Sequence, residues 1–291
     1  MQLHFTKMHG AGNDFIVIDG IHQDLSNMSR AQWRFLADRQ FGIGADQILL
    51  IEKPTRPDAE FKYRIINHDG SEVEQCGNGS RCFVRFVREK NLTDKKQISV
   101  EVAHTLLVLS EKDHGLVEVN MGAPILDLSL IPFNPSDLDS RVIAGTINYL
   151  LPTDEGSFWI TPISMGNPHA VQIVDDLDTS PVLLTGPLIE HHPSFPARVN
   201  AGFMQIIDRQ TIHLRVFERG SGETLSCGTG ACAAVVAGIL QGVLDSPVSV
   251  HTKGGELLIE WPFAEEGKYA NVLMTGPAET VFEGKISVPD L

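Results

Sequence analysis

The sequence predicts an α/β protein made of two similar halves, each with strands around one central helix. The main observation is an internal repeat, because residues 67–79 (NHDGSEVEQCGNG) align without a gap on residues 218–230 (ERGSGETLSCGTG). This alignment places Cys76 on Cys227 and Glu72 on Glu223. A Gly-Asn pair precedes each segment, at residues 12–13 and 166–167, and a methionine before a turn follows each, at residues 121 and 274. These matches in the same order indicate a duplicated domain.

The strands are predicted from short runs in which apolar residues alternate or follow one another. In the first half these runs are residues 15–18, 47–52, 61–66, 98–102, 106–109 and 116–119. In the second half they are residues 158–160, 170–174, 204–207, 212–217, 248–251, 257–260 and 272–274. Residues 124–152, which include the turn-forming segment PFNPSD, are predicted to connect the halves.

One conspicuous helix is predicted in each half, directly after the repeated Cys-Gly-x-Gly segment. The first runs from about residue 79 to residue 90, and its last turn is basic, as the negative end of a helix dipole favours. The second runs from about residue 230 to residue 244, and residues 231–240 are apolar on nearly every side. A helix that is apolar all round is buried, so we expect it at the centre of its half.

Length and charge narrow the class of protein. The chain of 291 residues has room for two domains, and its 42% apolar and 21% charged residues are typical of a packed globular protein. Its formal net charge of −14 argues against a general binder of nucleic acid or anionic membrane, because both would repel it. No apolar run approaches the roughly 18 residues of a membrane span. No signal peptide is visible at residues 1–7, so the expected location is the cytoplasm.

Cys76 and Cys227 each stand on a glycine-rich turn just before a predicted helix. A helix N-terminus leaves backbone N–H groups without partners and carries a partial positive charge. Both effects favour a thiolate, so we expect the pKa of each cysteine to lie below its reference value of about 8.5. The same N–H groups can hold a carboxylate or a phosphate, and the neighbouring glycines let a ligand approach the backbone. A cysteine that merely packs at a helix cap is the alternative, but two equivalent positions favour a function.

The two thiols suggest a reaction. Equivalent halves usually meet across a cleft, so Cys76 and Cys227 would approach one ligand from opposite sides. One could remove a proton from a carbon while the other returns a proton to the far face, and a thiol has a pKa suited to this task. The two helix N-termini could hold the substrate carboxylate and stabilise the charge that develops. The pattern predicts a racemase or epimerase that needs neither a metal nor pyridoxal phosphate.

Other motifs give weaker interpretations. Residues 228–233 match the dinucleotide pattern G-x-G-x-x-A, but residues 246–253, which follow, lack the acidic residue that this pattern requires. The sequence has no Walker A motif, and its 11 histidines show no metal-ligand spacing. The cysteine spacings do not fit a structural zinc site. Cys82 and Cys232 are therefore interpreted as small buried packing residues.

Several segments resemble diaminopimelate epimerase. In the first half they are KMHGAGNDF (7–15), GIGADQ (42–47), NHDGS (67–71) and QCGNGSRC (75–82). In the second half they are SMGNPH (164–169), VN (199–200), FERG (217–220) and SCGTGAC (226–232). The resemblance runs from residue 4 to about residue 284. It implies an enzyme that interconverts LL- and meso-2,6-diaminopimelate without a cofactor, in bacterial lysine and peptidoglycan-precursor synthesis.

The resemblance also implies roles for individual residues. Cys76 would be the base that takes the α-proton from the LL isomer and Cys227 the acid, with their roles exchanged in reverse. His169 and Glu218 resemble residues that tune the pKa values of the thiols. The implied substrate-binding residues are Asn13, Gln47, Asn67, Gly77, Asn78, Asn167, Asn200, Glu218, Arg219, Gly228 and Thr229. The chemistry supports them, since a substrate with two carboxylates and two ammonium groups needs a guanidinium fork and oxygen acceptors.

The fold that the resemblance implies is two pseudo-symmetric domains, each a barrel-like, mostly antiparallel sheet around a central helix, with the active site in the cleft between them. We expect one domain of residues 1–122 with residues 279–291 returning to it, and a second of residues 123–278. Where many family members have Val-Tyr-Asp-Gly, with a tyrosine linked to dimer formation, residues 281–284 are VFEG. A homodimer is therefore expected, although Phe282 lacks the hydroxyl.

Three alternatives stay open from the sequence. A proline racemase or hydroxyproline epimerase would use the same thiol pair, but Arg219 and the many amides favour a substrate with a second charged end. A thiol-based redox protein would need cysteines able to meet, and a disulfide between Cys76 and Cys227 would block the expected site. A non-catalytic amino-acid binding module would not need the thiols. We expect no metal, nucleic-acid or membrane partner.

Overall fold

The chain divides into two compact units in the computed structural model, which describes residues 1–73, 77–103, 105–262 and 269–291. Unit 1 consists of Met1–Asn120 and Gly276–Leu291, and unit 2 consists of Met121–Thr275. The C-terminal segment therefore belongs to the same unit as the N-terminus.

Unit 1 is mostly sheet. Its strands are β1 Gln2–Gly10, β2 Asn13–Asp19, β3 Gln47–Glu52, β4 Phe61–Asn67, β5 Glu72–Val73, β6 Gln97–Val102, β7 Thr105–Glu111 and β8 Val117–Asn120, with β19 Glu279–Ser287 as the last strand of the chain. Its helices are α1 Arg30–Ala37 and α2 Gly77–Glu89. A short 3-10 helix spans Asp113–Gly115.

The sheet of unit 1 wraps around helix α2. Its strand order is β19-β1-β2-β3-β4-β6-β7-β8, and β5 pairs with β4. Only the pairs β2–β3 and β4–β6 are parallel among the residues that the structure describes. Helix α2 packs against strands from both ends of this order, including β19, β1 and β8. No pairing between described residues joins β19 to β8, so the sheet stays open.

Unit 2 repeats this arrangement and adds strands at its start. Its strands are β9 Ser140–Ile143, β10 Thr146–Thr153, β11 Gly156–Ser164, β12 Pro168–Ile173, β13 Asn200–Asp208, β14 Thr211–Glu218, β15 Gly222–Thr224, β16 Val248–Thr252, β17 Gly255–Glu260 and β18 Leu273–Gly276. Its helices are α3 Val182–Glu190 and α4 Gly228–Leu240, and a 3-10 helix spans Leu128–Leu130.

The sheet of unit 2 has the order β9-β10-β11-β12-β13-β14-β16-β17-β18, with β15 paired on β14. The parallel pairs β12–β13 and β14–β16 correspond to β2–β3 and β4–β6 of unit 1. Helix α4 packs against β11, β12, β13, β14 and β17, and all but one of residues 228–238 are buried. The predicted α/β class, with mostly antiparallel sheet around a central helix, is confirmed.

Helix α4 is shorter than the sequence predicted. It ends at Leu240 rather than near residue 244, because Gly242 adopts a left-handed backbone conformation with φ +72°. The N–H groups of Val243 and Leu244 both donate to the carbonyl of Gly238, at 3.0 and 3.2 Å. This turn brings the buried side chain of Leu244 back onto the helix at Gly238. Because Gly238 has no Cβ, it leaves room for that side chain.

Residues 124–152, which the sequence predicts to connect the halves, contain regular structure that the sequence did not predict. Strands β9 and β10 form a hairpin that extends the sheet of unit 2. The hydroxyl of Thr146 donates to the carbonyl of Leu240 at 2.9 Å, and Gln241 Nε2 donates to Thr161 Oγ1 at 3.0 Å. Thr161 in turn donates to Asn148 Oδ1 at 2.8 Å. The hairpin therefore satisfies polar groups at the C-terminal end of helix α4.

Two helices escaped the sequence analysis. Helix α1 begins with a capping box, in which the N–H of Gln32 donates to Ser29 Oγ and the N–H of Ser29 donates to Gln32 Oε1, at 3.2 and 2.9 Å. It buries Trp33 and Leu36. The S-x-x-Q pattern of residues 29–32 is typical of a helix start, so the sequence contains a signal for this helix. Helix α3 contains Pro187, which argues against a helix in a sequence. No helix among the described residues is long and apolar enough to cross a membrane.

We expect Gly238→Ala to lower the free energy of unfolding by about 1–3 kcal/mol, because a Cβ at residue 238 would overlap the side chain of Leu244. Denaturant midpoints at an unchanged m-value measure this loss. The control is a double-mutant cycle with Leu244→Ala, in which the double variant should lose less stability than the two single variants together. Additive losses would contradict the overlap.

Candidate active site

Unit 2 places its candidate residues at one edge of the sheet. Asn167 directly precedes β12, Asn200 begins β13, and Glu218 ends β14. The parallel register sets His169 opposite Asn200, and the antiparallel register sets Ala201 opposite Phe217. Residues that are scattered over 50 positions of sequence therefore lie side by side where helix α4 begins.

Unit 1 has the same arrangement at the corresponding edge. Asn13 begins β2, Gln47 begins β3, and Asn67 ends β4. The registers pair Phe15 with Gln47 and Gln47 with Asn67. Helix α2 begins at Gly77, next to Cys76, which lies outside the described residues.

The amides of unit 1 contact one another. Gln47 Nε2 donates to Asn67 Oδ1 at 2.9 Å, and Asn78 Nδ2 donates to Asn13 Oδ1 at 3.3 Å. The carbonyl oxygen of the Gln47 side chain is buried and has no hydrogen-bond partner among the described residues. A buried acceptor of this kind is costly unless it is hydrogen-bonded, so it offers a place for an N–H donor of a ligand.

An ionic network supports Asn13. Asn13 Nδ2 donates to Asp46 Oδ2 at 2.8 Å, and Arg39 contacts both Asp46 and Asp14, at 2.9 and 2.7 Å. Lys7 donates to Asp14 Oδ2 at 2.6 Å. Burial by itself would raise the pKa of Asp14, but the hydrogen bonds from Arg39 and Lys7 outweigh it and hold this pKa well below its usual range. Asp14 therefore stays ionised and keeps its ion pairs with Lys7 and Arg39.

Cys227 is the N-cap residue of helix α4 and is 4% exposed. Its thiol donates to Glu218 Oε2 at 3.1 Å, and its sulfur lies 3.6 Å from the hydroxyl of Thr229. The other carboxylate oxygen of Glu218 accepts a hydrogen bond from Thr224 at 2.5 Å. A Cβ on residue 230 would lie 2.9 Å from Cγ2 of Val216 and 3.2 Å from the sulfur of Cys227, so Gly230 avoids close contacts with both side chains.

The expectation of a low pKa is wrong for Cys227. Burial raises the pKa of this thiol well above its ordinary value, and the negative charge of Glu218 raises it further. The hydrogen bond from Thr229 acts in the opposite direction but is weaker. Desolvation and a neighbouring carboxylate thus outweigh the helix N-terminus, and Cys227 is a protonated thiol at neutral pH.

His169 is buried beside Asn167 and is neutral at physiological pH. Burial lowers the pKa of His169 to about 3, and the positive charge of Arg219 acts in the same direction. Its Nε2 lies 3.0 Å from Asn167 Oδ1, which can only accept, so the proton is on Nε2. Its Nδ1 is then a bare acceptor, and it has no partner in the part of the chain that the structure describes. Asn167 Nδ2 extends the chain of contacts to Thr229 Oγ1 at 3.3 Å.

Arg219 presents an exposed guanidinium at the same edge. Its backbone N–H donates to Asn200 Oδ1 at 2.8 Å, and its Nη1 donates to the carbonyl of Ala197 at 3.1 Å. Asn200 is 3% exposed and its Nδ2 donates to the carbonyl of Pro168 at 3.1 Å. Asn200 therefore joins β12 to Arg219, whose guanidinium makes one hydrogen bond to the residues that the structure describes.

Thr224 and Asp46 also belong to these clusters, and the sequence analysis missed both. Thr224 orients Glu218, and Asp46 orients Asn13. The internal repeat aligns Thr224 with Val73, so the alignment itself gave no reason to select it. Asp46 directly precedes Gln47 in the segment GIGADQ, so the resemblance of that segment already pointed to this position.

The cysteines and possible metal ligands outside the site add little. Cys82 and Cys232 are fully buried, as expected for small packing residues. Over residues 1–73, 77–103, 105–262 and 269–291, no cluster of three or more His, Cys, Asp or Glu residues could hold a metal ion.

The fold is that of a known class of proteins. A phenazine biosynthesis protein of the PhzF family from Bacillus anthracis superposes with a TM-score of 0.71 at 16% sequence identity, covering 99% of this chain and 100% of that one. A hydroxyproline epimerase from Agrobacterium vitis superposes with a TM-score of 0.69 at 14% identity, covering 99% of this chain and 93% of that one. At this identity the likeness establishes the shared fold.

Sequence comparison identifies the family within that class. The family model described as diaminopimelate epimerase matches residues 5–126 and 161–281. A diaminopimelate epimerase from Cupriavidus taiwanensis is 60% identical over 291 residues, which covers 100% of this chain and 99% of the relative. One from Burkholderia thailandensis is 58% identical over 289 residues, with 99% and 100% covered. The chain belongs to the diaminopimelate epimerase family, and it is therefore an isomerase.

We expect Glu218→Gln to lower the pKa of Cys227, because the substitution removes the negative charge that opposes the thiolate. The rate of alkylation of the Cys227 peptide, followed by mass spectrometry across pH, should rise at lower pH than in the unaltered protein. Glu223→Gln is the control, since Glu223 contacts Arg215 and Lys253 instead. An unchanged profile for Glu218→Gln would show that its charge does not act on the thiol.

The buried His169 should make stability depend on pH. Its pKa is about 3 in the folded protein and about 6.5 in the unfolded chain, so the unfolded chain binds the proton more readily between these values. Its contribution to stability is present above pH 6.5 and is lost as the pH falls from about 6.5 towards 3, with a slope of up to about 1.4 kcal/mol per pH unit.

Denaturation of His169→Gln at several pH values between 7 and 4 checks this, because the variant should show a flatter dependence. His4→Gln serves as the control, since His4 is exposed. Equal slopes for His169→Gln and the unaltered protein would contradict a neutral buried imidazole.

Proposed function

We propose that this chain interconverts LL- and meso-2,6-diaminopimelate by proton transfer through two thiols, Cys76 and Cys227, without a cofactor. Full-length relatives named diaminopimelate epimerase, at 60% identity in Cupriavidus taiwanensis, support the substrate. Lysine and peptidoglycan-precursor synthesis is then the setting of the reaction. The thiol mechanism rests on the site itself.

One observation carries the mechanism. Cys227 is a buried, protonated thiol at the start of a helix, and its S–H is held by the carboxylate of Glu218. A group that must give a proton to a carbanion needs to hold that proton before the reaction begins. Cys227 meets this requirement at neutral pH, which supports its assignment as the acid in the direction from LL to meso.

The internal repeat supports the opposite assignment for Cys76. The alignment that places Cys76 on Cys227 also places Asn67 on Glu218. Asn67 ends β4 as Glu218 ends β14, so the two residues occupy equivalent ends of equivalent strands. An amide carries no charge that would oppose a thiolate. In this proposal Cys76 is the thiolate and removes the α-proton.

The proton balance of the reaction is simple. The Cys76 thiolate takes the α-proton and becomes a thiol, and the electron pair of the broken C–H bond is delocalised into the adjacent carboxylate. Cys227 then gives its proton to the opposite face of the same carbon and becomes a thiolate. Backbone N–H groups of Gly77, Asn78, Gly228 and Thr229 would stabilise the carboxylate while it carries the extra charge.

The remaining candidate residues fit the distant end of the substrate. The exposed guanidinium of Arg219 suits a second carboxylate, because it can offer two parallel N–H donors. The buried oxygen of the Gln47 side chain suits an ammonium group. The other amide and carboxylate groups proposed to bind substrate are Asn13, Asn67, Asn167, Asn200 and Glu218.

The alternatives are less favoured. A proline racemase or hydroxyproline epimerase acts on a substrate with one carboxylate, which leaves Arg219 without a role, and the relatives near 60% identity carry another name. A non-catalytic binding module would not need a thiol held as a proton donor. The redox alternative would require Cys76 and Cys227 to meet in a disulfide.

We also propose a cytoplasmic homodimer without a nucleic-acid partner. The net charge of −14 supports the last point, since nucleic acid would repel the chain. Phe282 lies on β19 with 47% of its surface exposed, and its ring packs edge to face on Phe5 at a centroid distance of 5.9 Å. An aromatic ring that is half exposed on a strand is suited to a contact with a second copy.

Replacement of either proposed thiol should abolish epimerisation, because inversion needs a group on each face of the carbon. We expect Cys76→Ala and Cys227→Ala each to lower kcat by at least about a hundredfold, with the fold kept, as the loss of a general acid or base does. Optical rotation of LL-diaminopimelate solutions measures the activity. Cys82→Ala and Cys232→Ala are the controls and should keep most activity, and an equal loss in Cys82→Ala would overturn the assignment.

A reaction in heavy water tests the use of two bases. Early in the reaction from LL substrate, the meso product should carry solvent deuterium at one α-carbon, because Cys227 exchanged its proton with solvent beforehand. The remaining LL substrate should gain little deuterium, since Cys76 returns the hydrogen that it took. Mass spectrometry at a few percent conversion reads both. Substrate hydrogen retained at the inverted carbon would instead indicate a single base.

A further inference from the structure

A tight turn carries two of the proposed site residues. Residues 218–221 link β14 to β15, and the N–H of Ser221 donates to the carbonyl of Glu218 at 3.1 Å. Gly220 occupies the third position with φ +77°, which is the left-handed conformation that a type II turn requires there. Glu218 and Arg219 are the first two residues of this turn, so its position sets the position of both.

A buried carboxylate from helix α3 holds this turn. Glu190 is the last residue of α3, and its side chain is 5% exposed. Its Oε1 accepts the N–H of Gly220 at 2.8 Å. Arg198 Nη1 lies 3.7 Å from Oε1, and His191 Nδ1 lies 3.4 Å from Oε2. Hydrogen bonds from a backbone N–H to an ionised carboxylate are among the stronger ones in proteins.

The backbone of Glu190 also contacts the segment that orients Arg219. The carbonyl of Glu190 accepts the N–H of Val199 at 3.2 Å. Ala197 and Asn200 lie on either side of Val199. The carbonyl of Ala197 accepts a hydrogen bond from the guanidinium of Arg219, and Oδ1 of Asn200 accepts one from its backbone N–H. Glu190 therefore contacts both the turn that carries Arg219 and the segment that orients it.

Unit 1 holds its equivalent turn in a related way. The N–H of Gly70 donates to the carbonyl of Asn67 at 2.9 Å, and Gly70 has φ +77°. Arg30, on helix α1, donates to the carbonyl and the carboxylate of Asp69, at 3.1 Å each. In both units a charged residue of the helix that precedes the strand hydrogen-bonds to the turn that follows the strand. In unit 1 this residue is the exposed Arg30, and in unit 2 it is the buried carboxylate of Glu190.

We propose that Glu190 is a positioning residue for the substrate site, acting through the turn of residues 218–221. Its carboxylate keeps Arg219 where the distal carboxylate of the substrate binds, and it keeps Glu218 beside Cys227. The inference about Arg219 rests on the proposed function. The inference about Glu218 concerns the free protein and stands independently of substrate.

The first test is kinetic. Glu190→Ala should raise KM for LL-diaminopimelate by about tenfold or more, as the loss of a hydrogen bond to a charged group does. It should also lower kcat, because Glu218 no longer lies beside the thiol of Cys227. The rise of KM reports the displaced Arg219, and the fall of kcat reports the displaced Glu218. Glu190→Gln keeps an acceptor for the N–H of Gly220, so its KM should stay within about threefold of the unaltered enzyme.

The control is another buried carboxylate that accepts a backbone N–H, and it belongs to unit 1. Glu101 is 6% exposed and accepts from the N–H and the hydroxyl of Thr55, at 2.8 and 2.6 Å. Glu101→Ala should destabilise the protein without raising KM. An equal rise of KM in Glu101→Ala and Glu190→Ala would overturn the positioning role.

The second test needs no substrate. In Glu190→Ala the pH profile of Cys227 alkylation should shift to lower pH, because Glu218 is no longer held beside the thiol. If Glu190→Ala does not fold, Glu190→Asp takes its place, since it keeps the charge but withdraws it by one methylene. An unshifted profile would overturn the proposal. An unaltered enzyme that fails to epimerise diaminopimelate would instead overturn the proposed function, while the alkylation test would still decide the role of Glu190.

Discussion

The burial of helix α4 is the constraint on which unit 2 depends. A helix that is apolar on nearly every face must be covered on every face, so strands β11 to β14 and β17 pack around it. The N-terminus of such a helix can open only at an edge of the sheet, and Cys227 caps it there. Gly230 avoids the close contacts that a Cβ in the first turn would make with Val216 and with the sulfur of Cys227. The position of the thiol is thus a consequence of how the core is packed.

Local electrostatics then decide what the thiol can do. The helix N-terminus favours a thiolate, but removal from water and the charge of Glu218 favour the thiol, and the latter two prevail for Cys227. Thr224 and Cys227 occupy the two oxygens of the Glu218 carboxylate, which fixes its orientation. A duplicated scaffold that places Asn67 where the other half has Glu218 can give its two cysteines different protonation states. This difference is what the proposed proton transfer requires.

Side-chain amides stand at the edges of both sheets. They contact one another in unit 1, and in unit 2 they contact Thr229, His169 and Arg219. The side-chain oxygen of Gln47 and Nδ1 of His169 are buried acceptors without donors among the described residues. Each lies in a cluster that is otherwise hydrogen-bonded, through Asn67 in one unit and Asn167 in the other. Unsatisfied acceptors of this kind are rare in folded proteins, and each of the two can accept a hydrogen bond from an N–H donor of a ligand.

The sequence by itself determined the repeat, the central helices and most strands, because these depend on local periodicity and on motifs short enough to be compared directly. It also selected the residues that the structure gathers at the two sheet edges. The tertiary structure decided the hairpin β9–β10, helix α3 with its internal Pro187 and the high pKa of Cys227. It also decided the hydrogen bond between Glu190 and the turn of residues 218–221. Each of these depends on burial or on a contact between residues distant in sequence, and neither periodicity nor spacing reports how far a group is removed from water.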